Sequence, residues 1–351
     1  MDYIALRSAF DETKAGVKGL VDAGITKLPP MFVDKKATFL DPGTNESIFP
    51  VIDLKDVNKD AVSRAKIVEQ VQKACEKFGV FQLVNHGIPL NVMDEMLDGV
   101  RRFNEQDLDA KKHFYSRDKT RTFAYSSNLS IATSSANNWK DTIQGIMAPP
   151  PSNPEQYPSI CWDIMTEYSS YVMKMGITLL ELFSEALGLE KDHLKDMDCG
   201  KGLVLKGQYY PECPEPDLTF GNSSHTDNSF FTVLVQDQIG GLQILYENQW
   251  VNVLPMRGAL LVNIADLMQL ITNDKFKSLE HRVLANKMRN ARISVACFFR
   301  MQNPDDVTRK YGPIKELTSV DNPPIYRELT MEEYLKSCVE IGVEALSSFK
   351  I

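Results

Sequence analysis

Two histidines and one aspartate in the second half of the chain could bind a transition metal together. His225 and Asp227 lie two residues apart, and their side chains project to one face if the backbone at 223–229 is extended. His281 opens a separate short apolar segment and is suited to supply a third ligand. Two imidazoles and a carboxylate form the facial triad associated with non-haem Fe(II), which leaves positions open for substrates. Zinc could use the same donors.

The remaining histidines have simpler explanations. His86 follows an apolar run and precedes Gly-Ile-Pro, where a hydrogen-bonded turn is expected. His113 and His193 lie in charged stretches that are typical of solvated helix faces. Because the chain has only five histidines, His225 and His281 are left as the imidazole pair.

A buried cation is predicted close to the metal motif. Arg292 and Ser294 open an apolar run and would share one strand face with Ala296 and Phe298. A guanidinium that points into an apolar interior is costly unless an anion meets it, and its fork fits a carboxylate. Ser294 adds a donor, and Tyr210 on an earlier segment can add a phenolic hydroxyl. The sequence therefore predicts a site for a carboxylate ligand.

The segments that position these residues have the pattern of short strands. Apolar runs alternate with turn residues, which is typical of a sandwich or barrel. The predicted strands are 203–210, 232–236, 242–245, 250–253, 259–263, 282–285 and 293–299.

Helical periodicity flanks this strand-rich region. A helix and turn are predicted within 1–29, further helices at 61–78, 90–115, 162–187 and 331–346, and short strands at 49–54 and 81–84. We therefore divide the chain into an N-terminal region of helices and strands (1–160), a supporting helix (161–200), a core (201–310) and a C-terminal helix and tail (311–351).

Composition limits the function classes. The chain has 351 residues, of which 43% are hydrophobic, enough for a substantial core. Its net charge of −8 argues against nucleic-acid binding, since phosphates attract clustered Lys and Arg. The six cysteines are scattered as free thiols of a reducing compartment would be. With neither a secretory signal nor a long apolar run, we expect a cytoplasmic protein that does not interact with a membrane.

Taken together, these motifs resemble the plant 2-oxoglutarate- and Fe(II)-dependent dioxygenases. The resemblance rests on His225-x-Asp227, His281 and Arg292-x-Ser294. It extends to 9–20, 49–54, 81–89 and 263–267. The most similar branch holds deacetoxyvindoline 4-hydroxylase, the benzoxazinoid dioxygenases and the aminocyclopropane-carboxylate oxidase homologues.

The resemblance implies a mainly β fold with flanking helices, built on a double-stranded β-helix (jelly roll). It implies Fe(II) bound by His225, Asp227 and His281, with 2-oxoglutarate as cosubstrate, O2, and ascorbate as a reductant. Related halogenases replace the carboxylate ligand with a small residue, so an intact Asp227 indicates oxygen transfer or desaturation.

The same resemblance assigns the predicted carboxylate site to 2-oxoglutarate. Arg292 and Ser294 would hold the distal carboxylate, helped by Tyr210. Gln208 departs from the common pattern, in which Asn or His precedes the paired tyrosines. It keeps an amide, so we expect cosubstrate binding to persist.

The substrate pocket is less well specified. Phe298 is expected to form a wall against a ring, and Lys206 to meet a polar substituent. Residues 117–160 are implied to contribute strands and a loop over the active-site mouth, which makes Tyr125, Asn138 and Trp139 candidate contacts, although a structural role for Trp139 is equally plausible. These features indicate a medium-sized, largely apolar plant metabolite, with an alkaloid as the first candidate.

Other outcomes stay open at this stage. Demethylation, desaturation or epoxidation would start from the same iron centre as hydroxylation. Ethylene-forming oxidation and a catalytically silent binding protein are weaker alternatives. We expect a monomer that acts on a small molecule.

Overall fold

The computed structural model describes residues 3–34, 48–118, 120–127, 136–303, 306 and 308–351. The α-helices are α1 (Tyr3–Glu12), α2 (Gly16–Asp22), α3 (Ala61–Lys77), α4 (Leu90–Glu105), α5 (Leu108–Lys111), α6 (Ser159–Ala186), α7 (His193–Asp196), α8 (Asp266–Ile271) and α9 (Met331–Ile341). The strands are β1 (Val51–Asp53), β2 (Val80–Val84), β3 (Phe123–Ser126), β4 (Asp141–Ala148), β5 (Gly202–Tyr210), β6 (Phe220–His225), β7 (Phe231–Gln236), β8 (Leu242–Tyr246), β9 (Gln249–Asn252), β10 (Leu260–Ile264), β11 (His281–Leu284), β12 (Arg292–Arg300), β13 (Lys310–Tyr311) and β14 (Leu329–Thr330). Short 3-10 helices lie at Pro30–Phe32, Lys112–Phe114, Pro154–Gln156, Pro216–Leu218, Lys315–Leu317 and Gly342–Phe349.

Two β-sheets form the centre of the protein. The larger sheet has the order β1-β2-β10-β7-β12-β5-β4-β3, and the smaller has the order β6-β11-β8-β9. Apolar side chains from both sheets pack together between them; they include Leu234, Leu261, Leu242, Ile244 and Val283. This is the jelly-roll core with flanking helices that the sequence predicted.

Strand β12 separates two different environments. It pairs antiparallel with β5 on one side and with β7 on the other. Because side chains alternate along a strand, one set faces the helices and the other faces the smaller sheet. The helix-facing set consists of Ile293, Val295, Cys297 and Phe299. The opposite set begins with Arg292 and Ser294.

Helices α3, α4 and α6 cover the outer face of the larger sheet. Helix α3 begins after Asp60, whose carboxylate accepts a hydrogen bond from the Ser63 amide at 2.8 Å. Helix α6 approaches the sheet closely at Gly176, where an added Cβ would lie 2.1 Å from the Phe299 ring. The supporting helix predicted at 162–187 therefore packs directly on the sheet.

The N-terminal segment packs against the start of β4, around Trp139 and Asp141. Phe10, Val17 and Phe32 form a small apolar cluster with Trp139. The Asp141 carboxylate accepts hydrogen bonds from the amides of Val17 and Lys18, each at 2.8 Å, at the start of α2. Instead of the predicted helix and turn, the segment contains two helices and a 3-10 turn, held in place by these contacts.

Several boundaries differ from the sequence prediction. The C-terminal helix stops at Ile341 because Gly342 adopts a φ of 80°, and the chain continues as a 3-10 helix. The helix predicted at 90–115 ends at Glu105. The stretch 117–160 contributes β3 and β4, but residues 128–135, within the stretch implied to hold the mouth loop, lie outside the described residues.

The remaining sequence-based expectations concern thiols and membranes. All six cysteines are free thiols. Throughout the described ranges, each helix is too short or too polar to cross a bilayer.

Candidate metal centre and cosubstrate pocket

The three predicted metal ligands lie together at one end of the smaller sheet. His225 ends β6 and pairs with His281, which begins the neighbouring strand β11. Their ring centroids are 4.2 Å apart. Asp227 Oδ1 lies 3.9 Å from His225 Nε2 and 3.6 Å from His281 Nε2. The extended backbone predicted at 223–229 ends at His225, so Asp227 reaches the pair from a loop and not from a strand.

Backbone carbonyls orient both imidazoles. His225 Nδ1 lies 2.9 Å from the Ser223 carbonyl oxygen, and His281 Nδ1 lies 3.2 Å from that of Leu279. A carbonyl oxygen only accepts hydrogen bonds, so each Nδ1 carries the proton and donates. In the neutral ring each Nε2 then has a lone pair that a metal could share, as ligating histidines require; at His225 the Asn222 amide nitrogen lies 3.2 Å from Nε2.

The charges of the site also suit a cation. Burial, assisted by the neighbouring His281, lowers the pKa of His225 to about 3, so this imidazole is neutral at physiological pH. Burial opposes ionisation of Asp227, but neighbouring groups, His281 foremost, together with a hydrogen bond from the Thr232 side chain, outweigh it, and the pKa of this carboxyl is lowered. Asp227 Oδ2 is buried and has no hydrogen-bond partner among the described residues. A bound divalent cation would satisfy this oxygen, and the donor set fits Fe(II).

The loop that carries Asp227 is anchored from behind. The Asp266 amide donates to the Asp227 carbonyl oxygen at 3.1 Å, and the Asp266 carboxylate accepts from the Thr226 hydroxyl at 2.9 Å. The Tyr334 hydroxyl on α9 donates to the same carboxylate. Sequence reasoning did not assign these roles, although Asp266 lies within the 263–267 motif. Tyr334 offered no local signal.

Arg292 lies deep in the cavity that contains the metal ligands and is 1% exposed. Its Nη1 and Nη2 groups donate to Ser294 Oγ at 3.2 Å and to Gln236 Oε1 at 2.8 Å, and its Nε donates to the Gly240 carbonyl oxygen. The guanidinium stacks over Tyr210, with 4.9 Å from Cζ to the ring centroid. At least three of its five N–H donors are used in these contacts, which leaves at most two for a ligand.

Gln208 and Tyr210 reach the same cavity from β5. The register of the β5–β12 pair places Tyr210 opposite Arg292 and Gln208 opposite Ser294. Gln208 Oε1 accepts a hydrogen bond from the Thr142 hydroxyl at 2.7 Å, which leaves the amide N–H groups as donors. These residues therefore form a donor-rich pocket.

A cavity of about 350 Å³ connects the metal ligands with Arg292. Lys206, Phe298 and Asn138, the candidate substrate contacts named from the sequence, line this cavity. Sequence reasoning missed Lys140 and Asn222, which form another part of its wall.

Two candidate substrate contacts lie elsewhere. Tyr125 is fully buried outside the cavity, and its hydroxyl donates to the Ala15 carbonyl oxygen at 3.2 Å. The expectation that Tyr125 meets the substrate is therefore wrong, because its ring fills the space between β3 and α4. Trp139 has the structural role, since its indole N–H donates to the Glu212 carbonyl oxygen.

Comparison with known proteins agrees with this chemistry. The family model of the 2OG-Fe(II) oxygenase superfamily matches residues 202–301, and the model described as non-haem dioxygenase in morphine synthesis N-terminal matches residues 49–163. The chain belongs to the 2OG-Fe(II) oxygenase superfamily and is an Fe(II)- and 2-oxoglutarate-dependent dioxygenase. When bound, iron and 2-oxoglutarate supply the oxidising power, while the protein supplies position and a shielded cavity.

Plant relatives are similar over most of the chain. The 1-aminocyclopropane-1-carboxylate oxidase homolog 1 of Arabidopsis thaliana is 54% identical, covering 99% of this chain and 95% of that protein. Deacetoxyvindoline 4-hydroxylase of Catharanthus roseus is 53% identical, covering 93% of this chain and 83% of that protein. The crystal structure of JOX2 in complex with 2OG, Fe and JA has a TM-score of 0.83 and 28% identity, covering 96% of this chain and 97% of that one.

Proposed function

We propose that this enzyme hydroxylates a C–H bond of a medium-sized plant specialised metabolite, with release of succinate and carbon dioxide. The observation that carries the proposal is the intact His225, Asp227 and His281 triad beside a cavity of about 350 Å³. Similarity to an alkaloid hydroxylase makes an alkaloid scaffold the first to test.

In this proposal, His225, Asp227 and His281 hold Fe(II). Arg292 pairs with the distal carboxylate of 2-oxoglutarate through the N–H donors that its protein contacts leave available. The hydroxyls of Ser294 and Tyr210 and the amide of Gln208 complete that pocket, since they line the same part of the cavity.

The proposed substrate contacts lie toward the other end of β12 from Arg292 and on the neighbouring strand β5. Phe298 offers a ring face for packing, and Lys206 offers a cation next to it. Tyr125 has no part in this assignment, because it lies outside the cavity. Ascorbate as a reductant, a monomeric state, a cytoplasmic location and the lack of nucleic-acid or membrane partners remain predictions.

The direct test is incubation of the purified protein with Fe(II), 2-oxoglutarate, ascorbate and a panel of alkaloids and other plant metabolites. We expect substrate-dependent succinate release and a product one oxygen heavier than its substrate. The matched control is His225→Ala, which should release no succinate.

The product's mass separates the alternatives that begin with the same C–H cleavage. Demethylation removes a methylene, and desaturation removes two hydrogens. Epoxidation also adds one oxygen, so the position of that oxygen must be assigned by NMR. A lighter product, or an epoxide, would reject hydroxylation while leaving the oxygenase class intact.

A further inference from the structure

Three basic side chains face the cavity, and the cosubstrate explains only one of them. Arg292, Lys140 and Lys206 all line it, and Asp227 supplies the single carboxylate among the described lining residues. Burying an ammonium group is costly unless an anion or a set of acceptors meets it. The surroundings of the two lysines therefore bear on what the cavity binds.

Lys140 lies immediately before β4 and is 9% exposed. Its Nζ donates to Asn222 Oδ1 at 2.8 Å, and in the part of the chain that the structure describes it has no carboxylate within ion-pair distance. Burial, with repulsion from Lys206 and Arg292, lowers the pKa of Lys140 to about 7. The Asn222 side-chain oxygen is a single neutral acceptor, so most of the positive charge on the Lys140 ammonium group has no counterion.

Lys206 lies on β5 at the far end of the cavity from Arg292. Lys206 precedes Tyr210 by four positions, which is about 13 Å along a strand, and Tyr210 is opposite Arg292. Its Nζ lies 4.8 Å from the centroid of the Phe298 ring. Lys206 is half-buried, and a cation–π contact contributes about 0.5–2 kcal/mol, less than the several kcal/mol that complete burial of an ammonium would cost. Packing against Phe298 alone does not explain a charge in this place.

The formal charges of the site with iron and 2-oxoglutarate bound show which basic side chains have no counterion. A divalent iron, the Asp227 carboxylate, the Arg292 guanidinium and the two carboxylates of 2-oxoglutarate sum to neutrality. Lys140 and Lys206 are the basic groups left over, and both line the same cavity.

We infer that the substrate carries a carboxylate, which binds between the ammonium groups of Lys140 and Lys206 with its ring against Phe298. This inference rests on the proposed function and narrows its substrate class. An alkaloid that fits must present an acidic group to this wall, because a lone protonated amine would meet two like charges. Charge complementarity of this kind favours an anion and excludes a cation.

The test compares three probes of one shape and different charge. Phenylpropionate, phenylpropionamide and phenylpropylamine are titrated calorimetrically into the full-length protein with Mn(II) and saturating 2-oxoglutarate, with oxygen excluded. Occupancy of the Arg292 pocket by 2-oxoglutarate prevents the acid from binding there. We expect the acid to bind at least about tenfold more tightly than the amide, and the amine to bind most weakly.

Two variants assign the preference to the lysines. Lys140→Met and Lys206→Met should each weaken binding of the acid about tenfold and leave that of the amide within about twofold. The exposed Lys201, just before β5, provides a matched control, and Lys201→Met should behave as the wild type. Equal or undetectable binding of all three probes to the wild type would overturn the inference. It would also fail if Lys140→Met or Lys206→Met weakened 2-oxoglutarate binding instead of acid binding.

The same protein samples distinguish this inference from the proposed function. Preferential binding of the acid without oxidation of any acid in a metabolite panel would reject the hydroxylase proposal and support the binding site. Oxidation of neutral or basic metabolites only, with no preference for the acid probe, would retain the hydroxylase and reject the carboxylate.

Discussion

Replacing Arg292 with lysine tests the cosubstrate pocket most directly. The substitution keeps a positive charge but removes the fork that can bind a carboxylate through two parallel hydrogen bonds. Removing one partner of a buried, hydrogen-bonded charge pair costs about 2–5 kcal/mol. Since lysine retains the charge, we expect the lower part of this range, about 2–3 kcal/mol. The half-saturating 2-oxoglutarate concentration should then rise about 30-fold to 140-fold.

The assay is succinate release as a function of 2-oxoglutarate concentration, supported by calorimetric titration of 2-oxoglutarate into the Mn(II)-loaded protein. Arg292 also donates to Gln236 and Gly240, so thermal unfolding must show that the variant remains folded. Arg309→Lys is the control, because Arg309 pairs with Asp198 away from the cavity. A rise of less than about threefold in a folded Arg292→Lys protein would remove this residue from the proposed role.

Three further perturbations address the metal, the N-terminal segment and the cavity charges. Asp227→Ala should abolish succinate release and weaken Mn(II) binding at least about tenfold, because a metal ligand is lost while the fold remains. Calorimetric titration of Mn(II) measures this affinity, and a wild-type value would contradict the metal assignment. Asp141→Ala should lower the free energy of unfolding by about 2–4 kcal/mol, because the buried amides of Val17 and Lys18 lose their acceptor. This range allows for the fact that the variant no longer has to bury a carboxylate. A loss below about 0.5 kcal/mol in urea unfolding would show that these hydrogen bonds do not hold the N-terminal segment in place. Burial, with repulsion from Lys206 and Arg292, lowers the pKa of Lys140 to about 7, while burial and Arg300, opposed by Asp227, lower that of Lys206 to about 8. Both lysines therefore lose their positive charge as the pH rises through this window. Phenylpropionate affinity should be highest below about pH 7, and each lysine should lower it by up to about tenfold per pH unit once the pH exceeds the pKa of that lysine. A flat affinity profile from about pH 6 to 9, like that expected for the amide, would contradict this linkage.

Features that depend on local periodicity could be predicted from the sequence. The short apolar run 293–299 indicated a strand, and the alternation of side chains along a strand predicted that Arg292 and Ser294 share one face. The two imidazoles were identified by elimination, because His86 has the context of a turn and His113 and His193 lie in charged helical stretches. The structure brings His225, Asp227 and His281 within 4.8 Å of one another, as a shared metal would require.

Features that depend on tertiary contacts could not be predicted in this way. Strand β6 is polar and lacks the alternation of a half-buried strand, and α8 is too short to show helical periodicity. Lys140 lies in a weakly patterned stretch, so its burial becomes visible only when Asn222 is placed beside it. Tyr125 had the residue type of a ligand contact, but a ring that packs against Phe103 has the same sequence signature.

The alternating faces of β12 restrict how this enzyme can diversify. A one-residue insertion or deletion just before Arg292 that shifted the register of the whole strand would turn Ile293, Val295 and Phe299 toward the ligands and Arg292 into the helix layer. Such a register shift would remove the ligand-binding side chains and the packing against the helices together. New substrate preferences must therefore arise by exchanging side chains at fixed strand length, and loops remain the place where chain length can vary.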